Sequence, residues 1–378
     1  MKKLNHAHYL LACRFDNWLR LLSENRFNIS RENIPEALYI TLASLGTFPF
    51  AMAEKLIYDR AINNTVIDKH PIYILGHWRT GTTHLQNVLS RDPQFGWCDP
   101  VSTTTFNNSL LMGPLMAKIQ SGVLDQARPM DNMKYGLDMP MEEIFAQATI
   151  SDIAIIHMMR FPQRFREHVP LGFLQDLPAH KRQRWMREYQ YVLKKITYIK
   201  NGRQLVLKSP DNTCHPRIIH QMFPKSKYIC LHRGPYTTIF STINMFKKQM
   251  EVLSLQDPPS GALDIVIEDA VIDIFRRMYT ELFDFLEDIP KSQYTELPFE
   301  HFEKEPIDDL RRIYTELNIG GFEEALPYFQ KYLDSQRDYK KNSFDIPPRL
   351  YKKINEKLGF YFDRYGYEMA APNTGGSV

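Results

Sequence analysis

The chain predicts an α/β fold: a doubly wound parallel sheet flanked by helices, with a helical segment ahead of it and a long helical insertion within it. Three observations carry that prediction. Short apolar runs at Ile72–Leu75, Gln204–Leu207, Tyr228–Leu231 and Tyr294–Leu297 have the length and continuity of strands buried on both faces. The first and third runs pass directly into a turn and then an apolar stripe at helical spacing, Leu85-Val88-Leu89 and Ile239-Ile243-Phe246. A hydrophobic content of 43% and a charged content of 24% over 378 residues are enough to build a full core around such a sheet.

Taken in order, residues 1–60 read as helical. Within them Ala37–Ala53 runs 17 residues without a charge, near the lower limit for a membrane-spanning helix, and Gly46 and Pro49 interrupt it. The expectation is a buried helical hairpin, or an interfacial pair making peripheral membrane contact, rather than a span. Residues 106–200 read as mostly helical and form the insertion between the first strand–loop–helix and the strand at 204–207. Gln256–Gly261 is a loop, followed by an amphipathic helix to about Asp288, the strand at 294–297 and a helix over Pro306–Leu317. The tail 370–378 is polar and Gly-rich, the pattern of a disordered end. The expected organisation is one domain over 61–369 with 1–60 as its helical N-terminal segment.

Bulk properties narrow the function. A formal charge of +3 is too small to argue for nucleic acid. Cys13, Cys98, Cys214 and Cys230 show no C-x-x-C pairing or metal spacing, which points to reduced thiols and a cytoplasmic setting. The start, Met1 to His8, lacks the apolar core of a signal peptide. The oligomeric state is not legible.

Gly76-His77-Trp78-Arg79-Thr80-Gly81-Thr82-Thr83 has the form of a phosphate-binding loop between strand and helix. The ATP-binding version requires Lys where this chain has Thr82, and here Arg79 supplies charge within the loop. Such a loop suits a phosphate or sulfate group without a metal. Standing alone, the pattern also has a plainer reading, since short Gly/Thr strand–helix turns serve as simple connections in many α/β proteins. The second site argues otherwise: Arg233 ends the strand at 228–231, and Ser241 lies one helical face further on. An Arg fork with a hydroxyl, at the carboxyl end of a parallel strand, suits a second isolated phosphate.

Together, Arg79-Thr80-Gly81-Thr82-Thr83 and Arg233-x₇-Ser241 resemble the two cofactor motifs of the 3′-phosphoadenylyl sulfate (PAPS) dependent sulfotransferases, in their bacterial branch. The resemblance covers about Pro71 to Tyr367. It implies a P-loop-like sheet with the insertion on the acceptor side. The loop residues would take the 5′-phosphosulfate, and Arg233 with Ser241 the 3′-phosphate. The reaction the resemblance implies is sulfuryl transfer to a hydroxyl, leaving 3′,5′-ADP (PAP). It also implies a contact from Lys208, just past the strand at 204–207, to the transferring group, with Arg79 as a second catalytic cation. Arg337, Tyr339 and Lys340 resemble the family's closing loop over the 3′-phosphate and adenine.

The base is less directly given. The animal cytosolic members place a His two residues after the Lys, where this chain has Pro210. The stretch from Arg128 to Glu143 is similar to one in bacterial members, and a carboxylate there can take the hydroxyl proton if an apolar pocket raises its pKa. Glu142 fits best and Glu143 next; being adjacent on a helix they cannot face the same way. His84, behind the loop, and Asp99 are further candidates. Eight of the 16 methionines fall between Met112 and Met159, with Phe106, Phe145 and Phe161 among or beside them. Flexible, polarizable methionine suits irregular apolar pockets. The expected acceptor is therefore a small-molecule alcohol on a lipophilic body, such as a steroid, sterol or lipid. A carbohydrate or peptide acceptor is the alternative. Outside the enzyme class, the alternative is a P-loop-type nucleotide-binding protein without transfer activity.

Overall fold

A computed structural model of the chain describes residues 10–124, 136–257, 263–336 and 346–370. The N-terminal part holds α1 (Phe15–Glu24) and α2 (Ile34–Asn64). The first strand–loop–helix is β1 (Ile72–Leu75) and α3 (Thr82–Leu89), followed by the two-residue β2 (Phe95–Gly96). The insertion carries α4 (Pro100–Thr104), α5 (Ser109–Leu124), α6 (Ile144–Ile150), α7 (Phe165–His168) and α8 (Ala179–Ile199). Next come β3 (Gln204–Leu207), α9 (Pro216–Met222), β4 (Lys227–His232), α10 (Pro235–Leu253) and α11 (Leu263–Asp288). The chain continues with β5 (Tyr294–Pro298), α12 (Phe299–Phe302), α13 (Pro306–Glu316), α14 (Phe322–Asp334) and α15 (Pro348–Tyr365).

The strands form one parallel sheet in the order β2-β3-β1-β4-β5. Its strands sort their side chains by alternation. Tyr73, Leu75, Leu205, Leu207, Tyr228 and Cys230 enter the layer with α8, α10, α11 and α15. Ile72, Ile74, Val206, Ile229, Leu231 and Leu297 enter the opposite layer with α3, α13 and α14. Tyr73 and Tyr228 stack across the β1–β4 pair at 5.9 Å. Because β1 lies between β3 and β4, the loops leaving these three strands open on one crevice, where ligands of such sheets bind.

The four sequence-predicted strands occur within a residue of their expected ends. The two-residue β2 was not among them, since so short a run carries no periodicity. At the N-terminus, α2 is one continuous 31-residue helix instead of an interrupted pair. Pro49 removes one backbone donor, but the carbonyl it leaves, on Leu45, is on an exposed face where water can reach it. Nor is α2 buried: Leu42 is 59% exposed and Leu56 83%. Among the described residues it is the helix long and apolar enough to cross a membrane by length and composition.

The methionine-rich stretch divides. Met158 and Met159 fill the core, Met139 packs against the α3–α14 layer, and Met130 and Met133 lie outside the described residues.

One glycine fixes the crevice. Gly81 has φ +93°, and a Cβ there would fall 2.0 Å from the Phe299 ring at the end of β5. Gly81→Ala is expected to lower stability by about 2–4 kcal/mol, because neither the backbone nor a buried ring can yield cheaply. Denaturant unfolding of the variant checks this.

Candidate active site

β1 ends at Leu75, and Gly76 begins a loop whose backbone is unusual at two further places. Arg79 has φ +69° and Gly81 φ +93°, so both lie in the left-handed region. The turn is pinned from inside. Thr80 Oγ1 donates to the His77 carbonyl at 2.7 Å, and the Gly76 amide donates to Thr213 Oγ1 at 2.9 Å. Thr80 and His77 are fully buried, and burial pushes the His77 imidazole down to about 3, so it is neutral. α3 then starts at Thr82. The His84 amide donates to the Gly81 carbonyl at 3.0 Å, which leaves the first amides of the helix, at Thr82 and Thr83, to offer an anion-binding end on the crevice side of the sheet.

The two sequence motifs meet. Arg79 Nε donates to Ser241 Oγ at 2.9 Å, which joins the loop to α10. Arg233 follows β4, and its guanidinium donates to the Arg79 carbonyl at 3.3 Å. It also lies over the Phe299 ring at 4.7 Å, the same ring that packs against Gly81. Burial lowers the Arg233 pKa from its ordinary value, with Glu300 and Glu303 opposing. The Tyr361 hydroxyl donates to the Arg233 carbonyl at 2.9 Å and accepts from its amide at 3.2 Å, holding that strand end in place.

Lys208 leaves β3 into the same crevice. Its Nζ donates to Thr83 Oγ1 at 3.1 Å and forms an ion pair with Glu142. The lysine side chain is almost wholly buried, while that of Glu142 keeps 22% exposure. Three cations thus stand at the ends of three adjacent strands: Arg79 after β1, Lys208 after β3 and Arg233 after β4. The donor set of first-turn amides, hydroxyls and cations fits an anion with more than one negative group.

The two neighbouring glutamates have separate environments, as their adjacency requires. Glu143 is fully buried and accepts from Asn212 Nδ2 at 2.5 Å and from the Tyr189 hydroxyl at 3.2 Å. Burial raises its pKa. It ties α6 to the turn after Lys208, and Glu142 alone of the pair faces the lysine. Asp99 is engaged elsewhere. It caps α4 through the Ser102 amide at 2.8 Å and pairs with Lys200 at 2.8 Å. His84 is not brought to the cluster either: one position past Thr83, its ring turns to Phe302 at 5.4 Å, and burial lowers its pKa. Arg337, Tyr339 and Lys340 lie outside the described residues.

Sequence reasoning missed Phe299, which supports both Gly81 and Arg233. Its signal was available, since it directly follows an apolar strand run. It also missed the Glu143–Asn212–Tyr189 network, whose members are far apart in the chain and carry no common pattern.

This geometry agrees with the comparisons. A model described as "Sulfotransferase family" matches residues 71–324, which include every strand and all the residues of the cluster. The chain belongs to the sulfotransferase family. It is 29% identical over 365 residues to proteins of Mycobacterium bovis and Mycobacterium tuberculosis named omega-hydroxy-beta-dihydromenaquinone-9 sulfotransferase Stf3, covering 96% of this chain and 92% of theirs. Two solved structures share its fold. Sulfotransferase STF9 from Mycobacterium avium superposes with a TM-score of 0.67 at 14% identity, over 95% of this chain and 98% of that one. Sulfotransferase STF1 from Mycobacterium tuberculosis does so with 0.64 at 15%, over 92% of each. As a member of this family the chain is an enzyme of sulfuryl transfer.

Behind Lys208, Asp211 is buried in the turn that Glu143 braces. Burial, and then the nearby Glu143 charge, push its carboxyl from 3.8 up to about 8. Between those values the folded chain holds a proton that the unfolded chain has released, so stability falls as pH rises from about 4 to about 8. The slope is roughly 1.4 kcal/mol per pH unit at most. Asp211→Asn is expected to flatten this dependence and to raise the melting temperature at pH 8 more than at pH 5, as thermal melts across that range would record.

Proposed function

We propose that this sulfotransferase uses PAPS as donor and sulfates the hydroxyl of a lipophilic alcohol, with Glu142 as the base and Lys208 as the cation nearest the transferring group. The observation that carries this reading is the Lys208–Glu142 ion pair set against Thr83, at the start of the anion-binding helix. PAPS supplies a sulfuryl group on its 5′-phosphate and departs as PAP.

The residues of the chain divide the remaining work. The loop at Arg79, Thr80, Gly81, Thr82 and Thr83 holds the 5′ end through backbone amides and hydroxyls. Arg233 and Ser241 hold the 3′-phosphate, and Arg79, hydrogen-bonded to Ser241, links the two ends. Little covalent chemistry falls to the protein in such a transfer, so positioning and charge stabilisation dominate. Lys208 has two roles that depend on each other. In the structure it is paired with Glu142. Drawn towards an anion on the Thr83 side, it leaves that carboxylate free to meet the acceptor. Glu142 then takes the acceptor's hydroxyl proton.

The lipophilic acceptor has two supports. The mycobacterial relatives, similar over nearly the whole chain, are named for a hydroxylated menaquinone. Partly buried Met139, Met141 and Phe145 flank Glu142 in the sequence, Met139 packed against one layer of the core and Phe145 against the other.

Sulfonation with labelled PAPS across hydroxylated quinones, sterols, phenols and oligosaccharides tests the reading. Turnover on the lipophilic alcohols is expected, and Glu142→Gln should lower kcat by about 10²–10³-fold with PAP affinity nearly unchanged. Arg233→Ala should instead weaken PAP binding by about 10–100-fold. Turnover confined to oligosaccharides would reject the lipophilic acceptor, and PAP binding without turnover on any alcohol would reject the enzyme reading of this site.

A further inference from the structure

The outward face of α2 has the polarity of a helix turned inside out. Between Ile34 and Ile57 its charged residues are Glu36, Glu54 and Lys55. Both acids point inward. Glu36 is buried against Arg160 at 2.9 Å, and Glu54 is buried in an ion pair with Lys195. Ser44 is buried too. Thr41 is turned to the body of the protein, where its hydroxyl accepts from Trp18 Nε1 at 2.9 Å. The large apolar side chains do the reverse: Leu38, Leu42, Leu45, Phe48, Met52 and Leu56 are all exposed, by 44% or more. An ordinary surface helix shows the opposite arrangement.

This orientation is locked. Turning α2 to hide its leucines would strip the buried Arg160 and Lys195 of their carboxylates, at a cost of several kcal/mol each (~3–5). Glu54 Oε2 also accepts from the amides of Leu110 and Leu111 at 2.7 and 2.9 Å, fixing the start of α5 beside α2. α5 extends the same surface with Leu111, Leu115 and Ile119, exposed by 36%, 52% and 54%. The result is a fixed two-helix apolar face far richer in large aliphatic side chains than a surface in water requires.

We propose that this α2–α5 face docks the protein onto an anionic lipid bilayer, with α2 lying in the interface instead of crossing it. Charge selects the bilayer. Over Ile34–Ile57 and Ser109–Ser121 the exposed charged residues are Lys55 and Lys118, both cationic, because the acids are turned inward. Exposed Glu32 and half-buried Asp59 flank this band beside exposed Arg31 and Arg60, and the band between them, apolar with cations, complements anionic headgroups over acyl chains. The ion pairs of Glu36 and Glu54 to the protein body keep one side of α2 on the protein, which suits an interfacial helix and excludes a lipid-surrounded span. The inference rests on the lipophilic-acceptor reading for its purpose: an alcohol dissolved in a bilayer must be met there. In the chain, α5 leads on to the segment that carries Met139, Met141 and Glu142.

Co-sedimentation of the full chain with vesicles, without donor or acceptor, tests docking independently of the acceptor. Wild type is expected to pellet with vesicles of phosphatidylcholine plus phosphatidylglycerol, and less with phosphatidylcholine alone. Leu42→Glu and Leu56→Glu, both at exposed positions, should each weaken partition by about tenfold. Lys55→Ala and Lys118→Ala should each weaken it by about fivefold, on anionic vesicles only. Melting temperatures matching wild type would show the variants folded; the wild-type result decides the matter even if they are not. Wild type remaining in the supernatant with both vesicle types overturns the proposal. So does a wild-type dimer, seen by light scattering, that Leu42→Glu dissociates while no vesicle is bound, since a second copy would then cover the face. Loss of lipid sulfation with vesicle binding intact would count against the acceptor reading alone.

Discussion

The crevice depends on gathering three cations at the ends of neighbouring strands. Arg79, Lys208 and Arg233 follow β1, β3 and β4, which pair in parallel with β1 in the middle. Each is steadied by a different partner: Lys208 by Glu142, Arg79 by Ser241, and Arg233 by the Arg79 carbonyl and the Phe299 ring. A multiply charged ligand suits cations drawn from three strand ends. The same arrangement sets the structural demands around it, from the left-handed Gly81 under Phe299 to the buried hydroxyl of Thr80.

Glu143 and Asp211 belong to the support of this site. Glu143 bridges the start of α6 and the turn after β3, so the segment before α6 that carries Glu142 is tied to the strand that presents Lys208. The two carboxyls are buried near each other, and their raised pKa values mark a place where packing for geometry has been favoured over stability. A site that needs one exposed and one buried glutamate, side by side, gains a fixed orientation for the exposed one.

Much of this was legible in the residues, and the reasons are local. The strands were readable because doubly covered parallel strands are continuously apolar, and Arg233-x₇-Ser241 because a strand end and the following helix have fixed geometry. Glu142 was separable from Glu143 only as a statement that both cannot face the crevice; which one does so is decided by Asn212 and Tyr189, 69 and 46 residues away. His84 was a candidate because an imidazole has a suitable ordinary pKa and its position is close. In the structure one step along the helix turns its side chain about 100° from Thr83, towards Phe302, and burial lowers its pKa. The helix α2 misled in another way. Gly46 and Pro49 are local signals for interruption, but an exposed helix face tolerates a missing backbone bond. Its inward acids depend on Arg160 and Lys195, which no local pattern announces.

The central claim is that one bisphosphorylated nucleotide spans the loop after β1 and the arginine after β4. A crystal structure of the protein with PAP tests this most directly. The account predicts the 5′-phosphate on the amides of Thr82 and Thr83, the 3′-phosphate on Arg233 and Ser241, and Lys208 with Glu142 bordering the vacant sulfuryl position. PAP bound elsewhere, or with neither phosphate within reach of Arg233, would contradict it.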